Sequence, residues 1–298
     1  MNPKQTVRVL VFGATGTGKT SLCNVLSGRS RPTDGGAKGV TAKTHLYAAF
    51  EANGQKIQLV DTAGLHESSS GTVPADRALL QIVDLLKNAK AGFNLLVHVA
   101  RVGRITKDQE EDYKFFVEKL TQGKIPVLLV LTSCENEVPM QSWVDKNRAS
   151  FEPFNYEELV ATCFAAGGPI ETHFAPLRAE SKEAVQQAIL QHALHTPFKL
   201  YGVGTGLTLA NVLSRVWNEF VDWSGLPKNY RLKVNESAYQ LMKRMGIPEE
   251  VARLAVKHLP DLVEEVAGRI PFPGSGKIGR KLVEKILQKV LPKKTEGT

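Results

Sequence analysis

Residues 13–20 read Gly-Ala-Thr-Gly-Thr-Gly-Lys-Thr, which fills every fixed position of the pattern G-x-x-x-x-G-K-[ST]. These residue types at this spacing bind polyphosphate. Glycines let the backbone approach closely, because no Cβ blocks a positive φ. Gly13, Ala14, Thr15, Gly16, Thr17 and Gly18 offer their amides, and Lys19 reaches the β- and γ-phosphates as a point charge. The Thr20 hydroxyl can sit on Mg²⁺, and Ser21 closes the group at the start of the following helix. A second chemical element is Asp61-Thr62-Ala63-Gly64. Its carboxylate can hold the Mg²⁺ shell, and the Gly64 amide can meet a γ-phosphate, a contact whose loss on hydrolysis relaxes a switch loop.

These residues need elements that aim them. Residues 7–12, Val-Arg-Val-Leu-Val-Phe, form a short apolar run expected to be a buried strand. From Lys19 a helix is expected, with Leu22, Val25 and Leu26 on one face. Strand, glycine loop and helix together point backbone amides and the positive helix end at an anion. The run 57–60 places Asp61 at a strand's C-terminal end, where open parallel sheets bind ligands. Before it, residues 45–51 and 56–60 are expected to form an antiparallel hairpin around Asn53-Gly54, the pair a type I′ turn favours. The stretch 35–44 reads as a mobile loop; Thr41 is the expected Mg²⁺ threonine in the triphosphate state, with Thr44 in reserve.

The base reader should follow a later strand. Residues 125–131 form that strand, followed by Thr132-Ser133-Cys134-Glu135. Guanine presents a ring N–H beside an exocyclic amine, and one carboxylate accepts both; adenine offers no such pair. Thr132 stands where Asn is common and Glu135 where Asp is common. A last strand over 159–164 places Thr162 for base support, with 165–168 as the alternative.

With these residues in place, the chain resembles the immunity-associated GTPases (the GIMAP family), close to the septins and the chloroplast import GTPases. The resemblance covers roughly residues 5–195. It is carried by the phosphate loop followed by Ser21, by Asp61-Thr62-Ala63-Gly64-Leu65, by the box over 95–109, and by Thr132 with Glu135. The fourth motif departs from the family in lacking its basic residue. The resemblance implies an α/β fold: a mostly parallel sheet with one antiparallel strand and helices on both faces. It also implies GTP and GDP as ligands with Mg²⁺, and association of two copies through the nucleotide face. A strand is expected over 93–100, leading into the box, where Thr106 and Gln109 form a capping box opening a helix with Tyr113, Phe116, Val117 and Leu120 on one face. Arg101 and Arg104 on the preceding loop either dock a second copy or are solvated charges.

Small GTPases often carry Gln directly after Asp-x-x-Gly to orient the attacking water. Leu65 holds that position here and cannot do so; His66 either accepts a hydrogen bond from water or is a surface loop residue. Slow GTP hydrolysis is expected, stimulated by dimerisation. The alternative is a nucleotide-gated scaffold that binds GTP with little turnover.

The rest of the chain sets boundaries. Its 298 residues suggest a GTPase domain over 1–195 and an α-helical extension over 196–298. The net charge is +8, and residues 196–298 hold 17 Lys and Arg against 10 Asp and Glu, so the basic character belongs to the extension. One stripe there is Leu209, Leu213, Val216, Trp217 and Phe220. Near residues 277–291, Ile278, Leu282, Ile286 and Val290 lie opposite Lys277, Arg280, Lys281, Lys285 and Lys289. Such a helix either packs on the protein or, with Lys293 and Lys294, rests on anionic lipid. Nucleic acid is not expected, because no basic strand interleaved with aromatics is present. Three scattered cysteines, no run of about 18 apolar residues and no room for a secretory signal before the first strand point to a reduced cytoplasmic setting.

Overall fold

The computed structural model describes residues 5–30, 44–62, 82, 84–86, 88–165, 172–202 and isolated positions between 204 and 222. The chain divides into two compact units, residues 1–73 with 84–200, and residues 74–83 with 201–298.

The first unit is built on a seven-stranded sheet. Its strands are β1 (Val7–Phe12), β2 (His45–Leu46), β3 (Phe50–Ala52), β4 (Gln55–Asp61), β5 (Leu95–Arg101), β6 (Val127–Thr132) and β7 (Glu158–Ala161). They lie in the order β2-β4-β1-β5-β6-β7, with β3 also on β4. Every pairing among β1, β4, β5, β6 and β7 is parallel, while β2 and β3 run antiparallel to β4. The central strands are apolar without alternation because both sheet faces are covered.

One face packs against two helices, α1 (Lys19–Ser27) and, late in the chain, α4 (Ala175–His192). Leu22, Cys23 and Leu26 of α1 and Val185, Ala188 and Ile189 of α4 close on Val9, Val11, Val97, Val99, Leu128 and Val130. The opposite face carries α2 (Lys107–Tyr113) and α3 (Ser142–Asn147). There Leu129, Leu131 and Ala161 meet Val144 and Phe151, and the Phe12 ring stacks between His98 and Phe116 at 4.6 and 4.5 Å.

The hairpin turn is the expected one: Asn53 and Gly54 both have positive φ, 48° and 71°. Its outer strand is not continuous, however. Leu46 pairs with Val60 and Phe50 with Ile57, so the outer strand spends one more residue than its partner. That is a bulge, and it bends the sheet's edge away from further pairing. At the other edge, the Gln141 side-chain amide donates to Leu159 O and accepts from Ala161 N, both at 3.0 Å. It supplies to β7 the hydrogen bonds a neighbouring strand would give.

Three other boundaries differ from the sequence expectation. Phe93 does not extend β5; it exchanges backbone hydrogen bonds with Phe198, of 3.0 and 2.8 Å. Strand β7 ends at Ala161 rather than 164: the Thr162 amide donates the last ladder bond to Leu131 O, after which Ser133, at φ +64°, turns the partner chain away. The helix opened by Thr106, whose side chain accepts from the Gln109 amide, continues as a π-helix over Lys114–Leu120. The wider turn brings Phe115 into the core beside Phe116, Val117 and Leu120.

In the second unit, the described residues include a turn in which Gly202 N donates to Leu207 O at 2.9 Å, and helical positions from 212 to 222. Val212 and Val216 are buried one turn apart. The expected stripe members Leu209, Trp217 and Phe220, and the basic segment 277–294, lie outside the described residues. Among the described residues no helix is long and apolar enough to cross a membrane.

Candidate functional site

The chemistry-bearing residues gather where β1, β4, β5, β6 and β7 end, along the C-terminal edge of the parallel sheet. The phosphate loop leaves β1 at Phe12 and enters α1 at Lys19. Gly13 has φ +140°, and a Cβ there would stand 2.2 Å from Val99 O. Glycine is thus required both by conformation and by the close passage of β5. Gly18 is the N-cap of α1 in left-handed geometry, and no side chain caps the helix. A glycine at this position brings no capping side chain to the helix start, a geometry that suits an anion.

Lys19 is buried at 6% exposure, and its ammonium donates to Gly13 O at 2.7 Å and Ala14 O at 2.8 Å. The charge is held over the loop it would share with a phosphate. Thr17 braces the same loop, its hydroxyl donating to Ala14 O at 2.8 Å. Thr15 and Gly16 form the exposed tip, and Ser21 lies half-buried on α1.

Thr20 and Asp61 come together from elements 41 residues apart: the Thr20 hydroxyl donates to Asp61 Oδ2 at 2.9 Å. Asp61 is fully buried at the end of β4. Thr62, which follows, fixes that end by donating both its amide and its hydroxyl to Val11 O at 3.0 Å. One hydroxyl beside one carboxylate is a donor set that suits Mg²⁺, which takes few protein ligands and keeps waters and phosphate oxygens for the rest.

Thr132 turns its hydroxyl to the loop and donates to Thr17 O at 2.8 Å. Its methyl would also meet a Cβ on residue 18, at 3.2 Å. On this geometry Thr132 ties β6 to the phosphate loop. A Thr132→Val variant keeps the shape and loses the donor, at a cost of about 1 kcal/mol. Thermal melts should show a fall of a few degrees, and GDP should bind more weakly.

Thr162 is likewise turned inward, its hydroxyl donating to Leu131 O at 2.9 Å while its carbonyl accepts from the Cys134 amide at 3.1 Å. It laces the loop after β7 to the loop after β6. Ser133 has φ +64°, the sharp turn that precedes Cys134 and Glu135. Glu135 is only partly exposed, and its Oε2 is shielded from solvent with no hydrogen bond from any described residue. Burial lifts the Cys134 thiol to about 11, so it stays protonated at neutral pH.

Arg101, the last residue of β5, and Arg104, on the loop that follows, are exposed beside the strand that backs Gly13. The Thr44 amide donates to Asp84 Oδ2 at 2.9 Å. Thr41, Gly64 and His66 lie outside the described residues. Sequence reasoning missed the bracing role of Thr62 and the links from Thr17 to Thr132 and from Cys163 to Ser181, whose hydroxyl accepts from the Cys163 amide at 2.8 Å. The pairing of a β-branched hydroxyl with Asp61 was the available signal for Thr62; Ser181 sits mid-helix with none.

Residues 7–163 match the model of the AIG1 family. Over 105 residues, 34% of this chain and 22% of the relative, the sequence is 38% identical to immune-associated nucleotide-binding protein 10 of Arabidopsis thaliana. Over 161 residues, 54% of this chain and 30% of the relative, it is 30% identical to GTPase Der of Nitratidesulfovibrio vulgaris. The matched region thus spans less than a third of either relative's length. Among solved structures, the chain is similar to Toc33 of Arabidopsis thaliana in complex with GDP and Mg²⁺, at a TM-score of 0.45 and 18% identity, covering 64% of this chain and 88% of that one. It is also similar to Era in complex with MgGDPNP and part of 16S ribosomal RNA, at 0.49 and 16%, covering 78% and 70%.

Proposed function

The chain belongs to the AIG1 family, and we propose that it is a guanine-nucleotide switch that hydrolyses GTP slowly. The observation that carries this reading is the meeting of Thr20 with Asp61 at 2.9 Å beside a loop whose lysine is already poised over it. Such a site takes the phosphates on the amides of residues 13–18 and on Lys19. Thr20 and Asp61 would hold Mg²⁺, which supplies charge neutralisation to the phosphate oxygens when bound. Glu135, with a shielded and unpaired oxygen at the end of the sheet, is the residue that would accept the guanine N1–H and amine. The names of two relatives similar in sequence agree with this reading: one is an immune-associated nucleotide-binding protein and one a GTPase.

The base assignment is tested by titrating GTP, GDP and ATP against the wild type and Glu135→Ala. The wild type should favour GTP and GDP, and Glu135→Ala should lose at least about tenfold in that preference. An unchanged preference would remove Glu135 from the base site.

The second part of the proposal is that two copies associate through the nucleotide face. Leu65 cannot orient water, and exposed Arg101 and Arg104 stand on the same edge of the sheet as the phosphate loop. An arginine offered from a second copy stabilises transition-state charge in related chemistry. Single-turnover GTP hydrolysis should therefore rise with protein concentration. A flat dependence would leave a monomeric enzyme, and no turnover at any concentration would favour the nucleotide-gated scaffold that Leu65 also suits.

A further inference from the structure

Helix α1 is joined to the strands beside it by more than the bond between Thr20 and Asp61. Thr20 and Asn24 lie four residues apart on α1, so they share one face of the helix. The Thr20 hydroxyl donates to Asp61 Oδ2 at 2.9 Å. One turn further on, Asn24 Oδ1 accepts from the Tyr47 phenol at 3.1 Å. Tyr47 is itself a fixed point. Its amide donates to Leu59 O at 2.9 Å, which carries the pairing of β2 with β4 one residue past Leu46. Its carbonyl accepts from Gln58 Nε2 at 3.2 Å, and the His45 ring stands edge-on to its own at 4.9 Å. Tyr47 is 1% exposed and lies in the core cluster with Leu22 and Leu26 of α1 and Leu59 of β4. It therefore ties α1 to β4 two residues before the carboxylate that Thr20 meets.

This arrangement has a physical consequence. One hydrogen bond fixes a distance between a helix and a strand; a second, one turn away, fixes the helix's tilt as well. Tilt matters at this end of α1 because of what Thr20 and Asp61 would share. Mg²⁺ demands near-ideal octahedral geometry at about 2.0–2.1 Å, so its binding weakens when two protein groups shift by a fraction of an ångström. A phosphate cradled by several backbone amides is less exacting, because no one contact sets its geometry.

We propose that Tyr47 is a positioning residue for Mg²⁺: through Asn24 it sets the tilt of α1, and with it the placement of the Thr20 hydroxyl against Asp61. This rests on the reading of Thr20 and Asp61 as the residues that would hold the metal beside a nucleotide.

The test measures GDP affinity by calorimetry, once with excess Mg²⁺ and once with EDTA, for the full-length wild type, Tyr47→Phe, Asn24→Ala and the double variant. The ratio of the two affinities reads the metal's contribution alone. Tyr47→Phe keeps the ring in the core and loses the donor, while Asn24→Ala loses the acceptor. Each should lower the ratio about fivefold, the loss of one hydrogen bond, and leave the affinity in EDTA unchanged. The double variant should fall no further than either single one, since both remove the same bond. A phenol that only stabilises the fold would weaken GDP binding alike with and without Mg²⁺. That result, an unchanged ratio in the single variants, or losses that add in the double variant overturns the proposal. A wild type whose GDP affinity is the same in Mg²⁺ and in EDTA overturns the metal reading itself, which is a different result. Should Tyr47→Phe fail to fold, Asn24→Ala, at a half-buried helix position, decides by itself: an unchanged ratio there overturns the proposal.

Discussion

Replacing Gly13 with alanine should unfold the nucleotide site and lower the melting temperature by roughly 10 °C. Two costs add at this position. The backbone φ of +140° is one that alanine rarely adopts, at about 1–3 kcal/mol. The new methyl would stand 2.2 Å from Val99 O, in the backbone of a central strand that cannot swing aside as a flexible side chain would. Overpacking of this kind costs about 1–3 kcal/mol. Together they come to about 4 kcal/mol, and each kcal/mol shifts the midpoint by roughly 2–4 °C in a unit of this size. Calorimetry of the nucleotide-free protein would measure it. Because Gly13 O also accepts from the Lys19 ammonium, any shift of the loop carries the lysine with it.

Lys19→Ala should have the opposite signature: a near-normal melting temperature without nucleotide and a collapse of affinity with it. In the free protein the ammonium donates to the Gly13 and Ala14 carbonyls, which lie at the partly open loop and can turn to water. With nucleotide bound, the same group would neutralise two phosphates in a nearly water-free setting, since the side chain is only 6% exposed. Two charge-assisted hydrogen bonds at about 1.5 kcal/mol each predict a loss of about a hundredfold in GTP affinity. Lys19→Arg should not rescue it, because a planar guanidinium does not fit a cradle shaped for a compact charge. Fluorescent-nucleotide titration of both variants checks this.

Much of the frame was readable from local pattern. The phosphate loop announced itself through fixed spacing, and the Asn53-Gly54 turn through the residues that tolerate positive φ. Strand β6 was legible as a continuous apolar run because both its faces are buried. What escaped was set by contacts distant in sequence. Thr132 looks like a base reader by position, yet its hydroxyl goes to Thr17, 115 residues away. Gln141 shows no sign in sequence of closing the β7 edge, since the strand it serves lies 18–20 residues further on. The bulge in the outer strand and the π-turn after Tyr113 change periodicity by a single residue, which a pattern of apolar positions does not register. Cys163 read as one of three scattered thiols, and only the fold ties its amide to Ser181, 18 residues away.

The account turns on whether this sheet edge selects a guanine nucleotide. The most direct measurement is competition: labelled GDP bound to the wild type with Mg²⁺, displaced in parallel by unlabelled GTP, GDP, ADP and ATP. GTP and GDP should displace it at one saturable site, with the adenine nucleotides at least about a hundredfold weaker. Equal displacement by ATP and GTP, or binding that never saturates, would contradict the account.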